Sequence, residues 1–360
     1  SQIKAKTCIT RQRCTANEEK LKTIVLEKDK ETDYFSVDQF DLYDGSENYI
    51  RLGGVENIDC PIERILDKVK VQGASLGGKE GVCKVNQGLH TGADKVSKSI
   101  LKKYDFDAEL GEGIFVLSPK ELEKLNLTNR EKQQILPLFK NSDISKYTST
   151  VATHLYFIDF YYPKHKSIDR CEYPNLFEHL GRFRPLLENR VDSSLSTAKK
   201  FNIWWVIGLR KLIDYEAPKI VVPQRSKSNT FGYNEIPWYA ASDVFFITSK
   251  DFSGIELKYI LALLNSKLYF QWLFHRGKRK GQTLELIAKP LSEIPIKIIS
   301  PEKQKPFVNI VSQILYITSK TDYDPKKPTV EQLELEAKID EMVFDLYSLT
   351  EEERKVITDS

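Results

Sequence analysis

The residues best placed to do chemistry are cations rather than nucleophiles. His275-Arg276-Gly277-Lys278-Arg279-Lys280-Gly281 sets four permanent positive charges in seven residues, three of them between Gly277 and Gly281. A second basic, polar stretch, Gln224-Arg225-Ser226-Lys227, follows the apolar run Lys219-Ile220-Val221-Val222-Pro223. Such clusters suit a polyanion. Neutralising a few phosphates gives non-specific affinity of roughly 10⁻⁴–10⁻⁶ M that falls steeply with salt. Sequence choice needs base-edge donors, for which Gln224, Arg225, Gln282 and Thr283 are candidates. The other reading of the 275–281 stretch is a solvated basic loop.

Further polar segments fall in the same class. In Asn86-Gln87-Gly88-Leu89-His90-Thr91-Gly92-Ala93-Asp94 the glycines allow close backbone approach, and Asn86 and Gln87 have the donor–acceptor pair that reads an adenine edge. A tight turn that satisfies its own polar groups is the equal alternative. The segment lacks the GK[ST] ending and following helix of a phosphate loop. Lys140 and Lys146 bracket a polar stretch suited to phosphates or simply to solvent, and Arg182 and Arg184 lie on the outer face of a helix.

The charge balance places this case on local clusters. The 360 residues carry a net charge of only +3, with 41% hydrophobic and 29% charged residues, an ordinary globular composition. Five scattered cysteines form no CxxC pair, so neither a disulfide framework nor a zinc site is expected, and a reducing cytoplasm is the expected setting. No apolar run approaches membrane-spanning length. The chain starts Ser1-Gln2-Ile3, without an initiator methionine, and is expected to be part of a longer polypeptide.

The elements that position these loops follow from pattern. Alternation predicts strands at Ala5–Thr10 and Leu21–Glu27, paired as a hairpin. Pro61 to Lys70 reads as an amphipathic helix with Ile62, Ile65 and Val69 inward. Ser118-Pro119-Lys120-Glu121 and Thr128-Asn129-Arg130-Glu131 are capping boxes, the second opening a helix expected to reach Phe139. His154 to Tyr162 is a buried aromatic strand, and Tyr173 to Asn189 a helix with Leu176, Leu180, Phe183 and Leu187 inward. Trp204 and Trp205 read as core. Leu257, Leu261, Leu264, Leu268 and Trp272 predict one helix with one buried face, with Asn265 bonding inside the domain. Helices from Pro301 and Val330 follow, the latter acidic and suited to bracing the domain, and Thr350-Glu351-Glu352-Glu353 is a further capping box that opens a last short helix.

The order PKIVVPQRS, ILALLNSKLYFQWL, GKRKG, LSEIPI resembles the TaqI-like specificity domain at the C-terminal end of adenine-N6 DNA methyltransferases, above all type IIG enzymes that join restriction and modification. VNQGLHTGAD, LPLFKNSDISKY, YPNLFEHLGRFRPLLENR and IDEMVFDLYSLTEEE match in the same order, so the resemblance spans roughly residues 60–357. It implies an α+β fold: a mixed-sheet target-recognition domain at 60–299, a helical segment at 300–360, and at 1–59 a strand hairpin from the edge of a methyltransferase core plus linker. It also implies a double-stranded DNA partner, bound by Asn86, Gln87, Lys140, Lys146, Arg182, Arg225, Lys227, Arg276, Lys278, Arg279 and Lys280. The family's Asn/Asp-Pro-Pro-Tyr/Phe clamp and glycine-rich methyl-donor turn are not in this sequence, nor is a nuclease Asp…Glu-x-Lys set. Catalysis, S-adenosylmethionine and any magnesium are therefore expected in another portion of the parent. Alternative readings are a nuclease-free phage-defence methyltransferase and a protein-interaction scaffold whose basic loops are only solvated.

Overall fold

The computed structural model describes residues 61–208, 215–250 and 254–359, together with the backbone of four strands between residues 20 and 50. Two compact units are distinguished, residues 1–71 with 349–360, and residues 72–348.

In the first unit, Lys20–Glu27 pairs antiparallel with Lys30–Asp38. The hairpin therefore joins the expected 21–27 strand to the segment after it; Ala5–Thr10 lies outside the described residues. The helix Pro61–Gln72 buries Ile62, Ile65, Leu66 and Val69. A capping box opens the last helix, Glu351–Asp359: Thr350 N–H donates to Glu353 Oε2 and Glu353 N–H to Thr350 Oγ1.

The second unit is α+β, built from small sheets that are antiparallel apart from one parallel pair, Tyr161–Tyr162 with Ile207–Gly208. Its central sheet has four strands in the order Gly232–Asn234, Lys219–Pro223, Val244–Ser249, Cys83–Gln87. The unbroken apolarity of Ile220 to Val222 and of Val244 to Ile247 marks the two inner strands, buried on both faces. Trp238 stacks on Phe139 at 4.5 Å over this sheet. A second core is aromatic: Phe115, Phe157, Phe160, Leu176, Leu180, Phe183, Leu187, Trp204 and Trp205 are all buried in it.

Three expected helices differ in extent. Thr128 caps as expected, but the helix ends after Asn129–Lys132, and Ile135–Pro137 becomes a strand paired with Tyr156–Ile158. Pro137 has no N–H to continue a helix and would clash with the carbonyl four residues back. The 173–189 helix breaks at Phe183 into Pro174–Arg182 and Arg184–Glu188, with Pro185 starting the second piece. The 257–272 helix breaks at Ser266, whose extended backbone N-caps Lys267–His275. The preceding piece, Leu257–Asn265, is buried at every position but Lys258, not along one stripe.

The C-terminal helices brace this unit. Pro301–Thr318 lies on Leu257–Asn265, with Phe307 edge-on to Tyr259 at 5.3 Å. From Val330–Leu346, Asp340 accepts the Lys267 N–H at 2.8 Å and Glu336 pairs with Lys146 at 2.6 Å.

Candidate nucleic-acid interface

The two basic stretches come together in one small sheet. Arg225–Ser226 pairs antiparallel with Thr283–Glu285, which pairs antiparallel with Arg279–Lys280. The last two strands form a hairpin closed by Gly281 and Gln282. Gly281 has φ +64°, the first-position glycine that a two-residue hairpin of this kind favours. Gln282 thereby stands at an exposed tip.

Glu285 occupies the centre of this ribbon. Lys278 lies 3.1 Å and Arg225 3.4 Å from its carboxylate. The hydrogen bond from Lys278, with the charges of Arg225 and Lys280, holds the Glu285 carboxyl below its usual range. Arg279 lies over the Phe274 ring at 3.8 Å, which fixes its plane. Lys227 and Lys280 are exposed. Lys278, Arg225 and Lys280 thus act on one carboxylate, while Lys227, Arg276 and Arg279 belong to the same two basic stretches.

Neighbouring loops are tied to this ribbon through a short relay. Asn141 bonds the Arg225 backbone in both directions, Nδ2–H to the carbonyl and Oδ1 from the N–H, each at 3.4 Å. The Asn141 and Gln224 N–H groups donate to Asp243, to the carboxylate at 3.2 Å and the carbonyl at 2.9 Å respectively. Gln87 donates to the Ser242 carbonyl at 2.6 Å. Lys140 reaches Asp94 at 3.3 Å. Between the 88–94 loop and Lys140 lies a cleft of about 530 Å³ lined by His90, Gly92, Asp94, Lys95, Lys140 and Ser242. Asn86 and Gln87 sit at the end of the edge strand, so their loop opens beside Ser242.

Two candidate residues point elsewhere. Lys146 belongs to a hairpin, Ile144–Ser145 with Thr148–Ser149, and its ammonium is held by Glu336 and the face of Tyr147. The stretch expected to be an open polar loop thus has a fully buried Tyr147. Arg182 donates to Glu112 Oε1 at 2.7 Å and to the Asp107 carbonyl at 2.6 Å, in a separate cleft of about 780 Å³ that also holds His179. Burial depresses the His179 pKa, and its Nε2 bonds the Ile114 carbonyl.

Asn141, Asp243 and Glu285 were not singled out from sequence. Glu285 had a signal: a glycine two-residue turn between Lys280 and Thr283 implies a hairpin that brings residue 285 level with 278. Asn141 and Asp243 had none, since their roles depend on a contact across 102 residues of chain.

Residues 136–296 match the family model of the TaqI-like C-terminal specificity domain, and this part of the chain is such a domain. Over 206 residues the chain is 26% identical to the type II methyltransferase M.MjaIV of Methanocaldococcus jannaschii, covering 56% of this chain and 66% of that relative. Over 134 residues it is 31% identical to the type II methyltransferase M.HincII of Haemophilus influenzae, covering 35% of this chain and 26% of that relative. The chain thus spans under two thirds of the length of either. Its fold is similar to that of the type IIL restriction-modification enzyme MmeI, solved in complex with DNA, with a TM-score of 0.57 and 13% identity over 96% of this chain and 42% of that one.

Proposed function

We propose that this chain is the DNA target-recognition module of a type II restriction-modification enzyme, one whose modification reaction methylates adenine at N6. The observation that carries the reading is the joining of two basic stretches, 55 residues apart in sequence at Arg225 and Lys280, into one ribbon. A β-ribbon is of a size that enters the major groove, and its exposed cations supply phosphate contacts while the tip meets base edges. Arg225, Lys227, Arg276, Lys278, Arg279 and Lys280 are assigned to the grip. Gln282 at the tip and Asn86 in the adjoining loop are assigned to reading. Lys140 borders the cleft between the two. Arg182 and Lys146, which lie outside the ribbon and pair with Glu112 and Glu336, are assigned to holding the fold.

In this reading catalysis belongs to a separate portion of the parent, which binds S-adenosylmethionine and, with a fused endonuclease, magnesium. The 20–38 hairpin is the edge of that methyltransferase part, and the setting is the cytoplasm.

The test is selection from a pool of random duplex DNA at two salt concentrations, with the bound fraction sequenced. Recovery of an enriched motif at the higher salt is the expected result. Binding that is insensitive to salt, or no binding at low salt, sinks the proposal and leaves a protein-interaction scaffold.

A further inference from the structure

Arg190 follows the helix Arg184–Glu188, a position where a cation ordinarily does no more than complement the helix C-terminus. The structure buries it to 4% exposure. Its guanidinium donates to four backbone carbonyls: Nε to Leu187 at 3.2 Å, Nη1 to Thr91 at 2.7 Å, and Nη2 to Trp204 and Val206 at 2.7 Å each. The group also lies over the Phe115 ring at 5.0 Å. The Arg190 carbonyl in turn accepts the Lys199 ammonium. Burial lowers the Arg190 pKa to about 10, so the group stays charged at neutral pH and its bonds are charge-assisted.

Three of these carbonyls belong to the aromatic core of the unit. The fourth, Thr91, belongs to the loop that lines the cleft beside Lys140. Thr91 is buried, its hydroxyl donates to Asp94, and it accepts the Ala93 N–H. Gly92 follows with φ +71°, and a Cβ there would stand 3.3 Å from Arg190 Cδ. The loop's root is fixed separately, by the Gly88 and Leu89 N–H groups on the Val244 and Ala240 carbonyls. Its far end is fixed too, the Ala93 carbonyl accepting from the Phe115 N–H and the Asp94 carbonyl from those of Ile114 and Val116, so that Thr91 and Gly92 between them have Arg190 behind and the cleft in front.

We infer that Arg190 is a positioning residue for DNA recognition: by holding the Thr91 carbonyl it fixes the Thr91–Gly92 apex, between the two ends pinned by backbone bonds, in one shape and so pre-forms the wall of the cleft. This rests on the DNA-recognition reading above. Arg190 reaches no nucleic acid itself. Its loss therefore lowers discrimination between sequences and leaves the phosphate grip alone.

The test uses the 360-residue chain with Arg190→Met, Arg190→Lys and Gly92→Ala. Amide hydrogen exchange comes first, because it needs no DNA. Losing a charge-assisted bond should speed exchange in the 88–94 segment about tenfold or more. The Val244–Ser249 strand should keep its wild-type protection. Binding to the duplex recovered from the random pool is then compared with binding to the unselected pool. If the apex holds its competent shape about a tenth of the time, apparent affinity for the selected duplex falls about tenfold. Affinity for the unselected pool and the salt slope stay at wild-type values. Arg190→Lys, a single ammonium in place of a fork, should fall between. Should Arg190→Met not fold, Gly92→Ala strains the same contact from the loop side and should give the same pattern. Unchanged exchange in 88–94, or equal losses on both duplexes, would overturn the inference. A wild-type chain that selects no motif overturns the DNA reading instead, and the exchange result still decides whether the clamp exists.

Discussion

Glu285 sets the effective charge of the basic ribbon, since Lys278 and Arg225 both bond to it. Glu285→Gln removes that carboxylate and leaves both cations for phosphates. Non-specific affinity for duplex DNA at low salt should rise several-fold, with a steeper salt dependence by about one unit of the log–log slope. Anisotropy titrations over a salt series check this, and an unchanged slope would mean the ribbon does not meet phosphate. Asp159 gives a second prediction at this scale. Burial pushes its carboxyl up to about 6, against the partial relief from Lys164. A carboxyl with a raised folded pKa favours folding below its unfolded pKa of about 3.9, and that contribution is lost as pH rises through about 6. Wild-type stability should therefore drop between those values. Asp159→Asn should flatten the profile and be about 2 kcal/mol more stable than wild type at pH 8. Urea unfolding at pH 5 and pH 8 measures it; equal midpoint differences at both would rule out the charge as cause.

Helix breaks carry the lesson at the scale of elements. The apolar spacing from Leu257 to Trp272 is continuous, yet the chain turns at Ser266, whose hydroxyl donates to the Leu263 carbonyl at 2.7 Å. Asn229, from the loop after Lys227, donates to the Leu264 and Ser266 carbonyls at 2.8 Å. Asn265 bonds both backbone groups of Phe231. Asn229 thus satisfies carbonyls that the break exposes, and the two buried asparagines together tie the basic loop's far end to the helices. Asn229→Ala leaves two buried carbonyls short of a partner and should cost about 2–3 kcal/mol in urea unfolding. A loss below half a kcal/mol would show that water replaces the amide. That Asn265 bonds within the domain was legible from its place beside an apolar face. That Asn229 completes the break was not, because it lies 35 residues from the carbonyl it serves. The capping boxes at Ser118 and Thr128 were legible because a cap is a contact between residues three apart.

At the scale of the molecule, a net charge of +3 hides a local concentration of six cations. Replacing Arg276, Lys278, Arg279 and Lys280 together by Ala should lower the log–log salt slope of DNA binding by about 3 to 4, since each neutralised phosphate contributes about 0.9. A slope lowered by less than one would place the grip elsewhere. The sequence by itself determined the apolar run that becomes the buried strand at Ile220 to Val222, the inward residues of the helices, the aromatic segments of the core and the capping boxes at Ser118 and Thr128. These depend on periodicity and near-neighbour bonds, which are local. It also located the basic clusters, because charge is a property of residue type. Only the tertiary structure decided which cations are available. Arg182 and Lys146 read like the others in one dimension, but Glu112 and Glu336 lie 70 and 190 residues away and meet them only in the fold. The same holds for Arg190, a charged residue at a helix end that becomes a buried clamp because Thr91, 99 residues distant, folds back onto it.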